Sequence, residues 1–113
     1  MDDNLLERCP AIGRLRRGYL AACEIESTLD GHRAWIGVYP IHSSGEHRGK
    51  GDYRIRVFEV DEKYLINDND VWNEVMIDRE DTCVFGEDNL VTVIERYTCA
   101  TRLGAPQDCD YPV

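Results

Sequence analysis

No uninterrupted apolar run in this chain of 113 residues approaches the ~20 needed to cross a bilayer, and no basic stretch followed by an apolar one stands near Met1. A soluble, cytoplasmic protein with no membrane partner is expected. The five cysteines, Cys9, Cys23, Cys83, Cys99 and Cys109, are odd in number and spaced 14, 60, 16 and 10 residues apart, which spells neither a disulfide framework nor a zinc-type pair. In a reducing compartment most are expected as small core residues. Positive charge is scarce as well: 13 Lys and Arg against 22 Asp and Glu leave a net charge of −9. Phosphate binding needs clustered cations, and Arg14, Arg16 and Arg17 are too few, so nucleic acid is not expected as a direct partner. The G-x-S-x-G elbow, the P-loop, G-x-G-x-x-G and H-E-x-x-H are all missing, and neither catalysis nor a cofactor is expected.

What is present is enough for one domain spanning 1–113, since 42% hydrophobic residues can bury a core without disulfides or metal. The negative charge is confined to one third of the chain. Residues 59–95 hold twelve acids against two bases, Lys63 and Arg79, a net charge of −10, whereas residues 1–58 carry +1 and residues 96–113 carry none. A surface of one sign attracts cations over roughly a Debye length, ~8 Å in physiological salt.

Periodicity outlines the elements. Asp2 and Asp3 before Leu5 and Leu6 suit a short helix that Pro10 closes, and Ile12 and Leu15 fall at helical spacing although Gly13 and Gly18 weaken it. Tyr19–Ser27 alternates as a half-buried strand, Asp30-Gly31 makes a turn, and Ala34–Ile41 is apolar on both faces, as in a central strand ending at Pro40. The glycine-rich 43–52 stretch reads as a mobile surface loop. Tyr53, Ile55 and Val57 alternate with Arg54 and Arg56, then Phe58 and Val60 change parity, which calls for a bulge or for burial on both faces. Asn67–Asp70 can cap a helix over 70–81, with Val71, Trp72, Val75 and Met76 on one side and Asp70, Glu74, Asp78 and Asp81 on another. Thr82–Phe85 reads as a short strand, and Leu90, Val93, Ile94 and Tyr97 as a helix; the tail from Gly104 shows no regular element. The fold class is α+β, an antiparallel sheet of three to four strands with helices packed on one face.

Two kinds of site follow. A small enzyme or ligand-binding domain would use the 43–52 loop, with Cys83 or a loop serine as nucleophile and His32, His42 or His47 as base. His42, His47 and Asp52 match no established metal spacing, and NDNDVWNE lacks the glycine and glutamate of a calcium loop, so no metal is expected. The other kind is a partner surface. Its expected residues are Asp61, Glu62, Asp68, Asp70, Glu74, Ile77, Asp78, Asp81, Glu87 and Asp88, with apolar anchors such as Ile77, Tyr64, Trp72 and Phe85 inside an acidic collar.

The runs Val57-Phe58-Glu59-Val60-Asp61, Tyr64-Leu65, Asn67-Asp68, Val71-Trp72 and Val75, with the closing Cys109-Asp110-Tyr111-Pro112, resemble small acidic immunity proteins of bacterial polymorphic toxin systems, including contact-dependent growth inhibition. The resemblance covers roughly residues 57–113. It implies a non-enzymatic protein that binds a cognate toxin domain, often a nuclease, and occludes its active site. An anti-nuclease decoy from a mobile element would share the same physics.

Overall fold

The computed structural model describes residues 3–42, 45, 47–66 and 75–112. Two short helices, α1 (Asp3–Arg8) and α2 (Ile12–Arg16), lead into an antiparallel sheet of β1 (Ala21–Ile25), β2 (His32–Pro40), β3 (Tyr53–Asp61) and β4 (Ile77–Val84), in the spatial order β1-β2-β3-β4. Helix α3 (Lys63–Ile66) lies between β3 and β4. Helix α4 (Glu87–Ile94) follows, and then short 3-10 turns at Ala100–Arg102 and Pro106–Cys109. The architecture is α+β.

The hairpin of β1 and β2 pairs Ala21 with Val38 through Ile25 with Ala34, and Gly31, at φ 76°, supplies the left-handed residue of its turn. Strand β2 is central, which is why it is apolar on both sides. Ala34, Ile36 and Val38 face the helices with Ile12, Leu15, Leu90 and Ile94, while Trp35 faces the opposite side with Phe58, Val60 and Tyr111. Pro40, lacking an N–H, is the strand's last residue. The second face is covered by the C-terminal segment: Trp35 Nε1 donates to the Cys109 carbonyl at 2.8 Å, Gly104 bridges Ala22, and the Tyr111 ring meets Phe58 edge-on at 5.6 Å. The tail expected to be irregular is therefore part of the fold. Cys9 and Cys23 are buried, Cys83 and Cys109 are half-buried, and Cys99 is exposed; all are free thiols.

The parity change in β3 proves to be burial on both faces. Its nine pairs with β2 run unbroken, and Val57, Phe58, Glu59 and Val60 are all buried. The irregularity lies across from it, on β4. Val57 pairs with Glu80 and Phe58 with Asp78, leaving Arg79 as an extra residue.

The helix expected through residue 81 is corrected here: Ile77, Asp78 and Asp81 belong to β4, and the strand begins five residues before Thr82. Its amphipathic pattern competes with an available sheet edge. Pairing with β3 sets Asp78 and Asp81 beside Arg56 and Arg54, and satisfies the backbone edge of β3 as well as its own, where a helix would satisfy only its own. Asp68, Asp70, Glu74 and Trp72, with the expected cap at Asn67–Asp70, lie outside the described residues.

Candidate functional site

The described members of the acidic set fall in two groups: Asp78 and Asp81 lie on β4, an edge strand, with Glu87 and Asp88 just after it, whereas Asp61 and Glu62 stand at the end of β3 against His32 and Gly31. Asp61 ends β3 two residues beyond Glu59, the partner of Ile77, and Glu62 follows it. Asp78 and Asp81 are within β4, and Glu87 and Asp88 open α4 just beyond Phe85. Ile77 is 44% exposed and Phe85 59% exposed, so an apolar side chain stands toward each end of the strand. Tyr64 instead packs into the second-face cluster.

Most of these carboxylates are not free charges. Arg54 Nε and Nη2 donate to the two oxygens of Asp81 at 2.9 and 2.7 Å, and Arg56 Nη2 donates to Asp78 at 3.3 Å. Arg16 donates to both oxygens of Glu87 at 2.9 and 2.6 Å, with the Tyr53 hydroxyl adding a bond of 3.0 Å. Lys63 Nζ and His32 Nε2 each lie 3.9 Å from Asp61. The hydrogen bond from Arg54 holds Asp81 below the usual carboxylate range, and that from Arg16 does the same for Glu87. Burial, with the Glu87 carboxylate alongside, pushes the Tyr53 phenol up to about 12. Among the described residues, Glu62 and Asp88 make no ion pair.

One buried carboxylate lies outside the expected set. Glu59 is fully buried on the helix face, where Thr28 donates to its Oε2 from the hydroxyl at 2.8 Å and from the backbone at 3.3 Å. Arg79 Nη1 stands 3.6 Å from the same oxygen and donates to the Glu26 carbonyl at 3.1 Å. Its guanidinium lies 5.6 Å from the Tyr97 ring centroid, and the Tyr97 hydroxyl donates to Glu80. His32 Nδ1 is 3.7 Å from Glu59 Oε1, and neither atom has a hydrogen-bond partner among the described residues. The signal for this burial is in the sequence: Glu59 shares its parity with Tyr53, Ile55 and Val57.

The loop reading fares differently. A cavity of about 560 Å³ opens between α2 and the adjoining ends of β2 and β3, with Arg16, His42, Asp52, Tyr53 and Glu87 in its wall. A smaller recess of about 180 Å³ has His42, His47, Tyr39 and Arg54. His42 borders both, but His47 and Asp52 fall on different sides and Cys83 lines neither. His32 is at the other end of β2. Among the described residues no three His, Cys, Asp or Glu side chains are placed to hold a metal, and no described helix is long and apolar enough to cross a membrane. Comparison with protein-family models, with curated proteins and with solved structures finds no match.

Proposed function

We propose that this chain is a non-catalytic inhibitor of the immunity type, acting in the cytoplasm, which binds a basic protein domain along the β4 edge and covers its active site. The observation that carries the reading is the pair of exposed apolar residues, Ile77 and Phe85, toward the two ends of a strand edge, with Asp88 just beyond Phe85 and Glu62 just past the end of β3. Eight strand residues span about 26 Å at ~3.3 Å each. That is close to the width of a standard interface, on the order of 30 Å for ~800 Å² per partner. The role of charge differs from the one a row of carboxylates suggests. Asp78, Asp81 and Glu87 are engaged with arginines, so steering falls to Glu62 and Asp88 and to Asp68, Asp70 and Glu74 of the same acidic stretch. A nuclease toxin domain fits this chemistry, since the cations that hold a phosphate would meet these carboxylates.

The test is capture of partners from host lysate at low and high salt, followed by mass spectrometry, then repeated with variants. A single basic protein retained more weakly at high salt is expected. Ile77→Arg or Phe85→Arg should weaken it at least ~30-fold, the size of a central anchor, while Glu62→Lys with Asp88→Lys should flatten the salt dependence. Equal capture by all variants would remove this edge as the docking site. The cavity at His42 and Asp52 favours a second reading, a small-ligand domain; a ligand that raises the melting temperature of the protein but not of Asp52→Ala would establish it.

A further inference from the structure

Strand β4 can meet β3 in two ways that differ by one residue, and charge decides between them. In the observed pairing Ile77 lies opposite Glu59 and Asp78 opposite Phe58, with Arg79 bulged out before Glu80 meets Val57. A bulge sends two successive side chains to one side. Arg79 and Glu80 accordingly both reach the helix face, one to Glu59 and the Tyr97 ring, the other to the Tyr97 hydroxyl. Without the bulge, Arg79 would face Phe58, Asp78 would face Glu59 and Ile77 would face Val60. A one-residue slip sends each of these side chains to the opposite face.

Regular pairing has two advantages: it restores the ladder, and it moves the exposed Ile77 beside the buried Val60. Its electrostatics are adverse at both positions. Asp78 would leave Arg56, 3.3 Å away, for a buried carboxylate, and Arg79 would leave that carboxylate for the side of the sheet that holds Arg56. The bulge places unlike charges together twice, whereas the slip sets Asp78 against Glu59 and moves Arg79 from a buried carboxylate to a side where Asp81 already answers Arg54 and Arg56. We infer that buried Glu59 is the positioning residue of the β4 edge: it selects the bulged register that turns Ile77 outward, so the edge is a two-register element held in its docking form by one carboxylate. What Ile77 is for rests on the proposed function; the register choice does not.

Backbone cross-strand contacts measured by NMR on the full chain test this directly. Glu59→Gln keeps the Thr28 acceptor and the side-chain volume but removes the charge, and should move the contacts from Glu59/Ile77 toward Val60/Ile77. The exchange of Asp78→Arg with Arg79→Asp conserves composition and should drive the slip to completion, because the new cation then falls opposite Glu59 and the new anion on the Arg56 side. Native contacts persisting in the exchange variant overturn the inference. So does its failure to fold, since the slipped register satisfies both charges. If the register slips and a captured partner binds unchanged, docking through Ile77 fails while the role of Glu59 stands.

Discussion

At the scale of single residues, Gly37 shows how closely the two covers of the sheet constrain it. A Cβ there would lie well inside van der Waals contact with the Tyr111 hydroxyl oxygen and 2.6 Å from its Cζ, while Tyr111 is fixed by a 2.5 Å contact between its hydroxyl and that of Tyr39. The backbone at Gly37 is ordinary strand, so the requirement is for space and not for a left-handed conformation. Overpacking of this kind costs about 1–3 kcal/mol. Gly37→Ala should lower the urea midpoint accordingly, and Gly37→Ala with Tyr111→Phe should recover part of the loss. Recovery is the informative arm, because Ala is the better strand residue of the two and a loss arising anywhere but at this contact would not be relieved by removing one oxygen on a different element. The sequence places Gly37 in a strand but cannot reveal this contact, since Tyr111 is 74 positions away in a segment with no periodicity.

At the scale of elements, two arginine links, Arg54 with Asp81 and Arg16 with Glu87, join segments distant in sequence, and the titration of their carboxylates gives them a pH signature. Asp81 and Glu87 have folded-state pKa values below their unfolded ones, so the stability they contribute is full above about pH 4, the unfolded carboxylate range, and is lost as pH falls through the lowered values. Tyr53 titrates the other way. Its proton is retained up to about 12 in the fold and to about 10 when unfolded, so its contribution is present below about pH 10 and disappears as pH rises toward 12. Urea unfolding followed from pH 7 to pH 3 should show a decline that Arg16→Met makes shallower. At pH 7 the same substitution should cost about 1 kcal/mol, a modest figure because the Arg16 side chain is 42% exposed. An unchanged slope would mean that the Glu87 link carries no stability. Which elements the sequence discloses follows from the same geometry. The β1/β2 hairpin and α4 keep clean periods and are legible. Of strand β4 only residues 82–84 are, because the bulge at Arg79 breaks the alternation before them and leaves Ile77 and Asp78 out of phase with Glu80.

At the scale of the whole molecule, a charge that is segregated along the chain is recombined in space. The bases of residues 1–58 meet the acids of 59–95 across the sheet and between helices, with Arg16 and Glu87 71 positions apart and Arg54 and Asp81 27 apart. The block of acids is visible in the sequence, but which of them arginines engage is not, because proximity of this kind is set by topology. The same long-range closure makes the C-terminal segment part of the core. Tyr111 is 6% exposed against Phe58, and the Trp35 indole is satisfied by the Cys109 carbonyl. Removing the Tyr111 ring leaves a cavity over the central strand and should cost about 3–5 kcal/mol, a large share of the ~5–15 kcal/mol that holds a domain folded. Tyr111→Phe, which keeps the ring and loses only the contact with Tyr39, should cost about 1 kcal/mol. Calorimetry of the two variants separates a tail that seals the second face from one that rests on it. A loss below about 0.5 kcal/mol for Tyr111→Ala is what an ordinary surface substitution gives; it would mean that Trp35, Phe58 and Val60 form the second cluster unaided. A loss near the upper figure means that this face of the sheet is closed only with the Tyr111 segment in place.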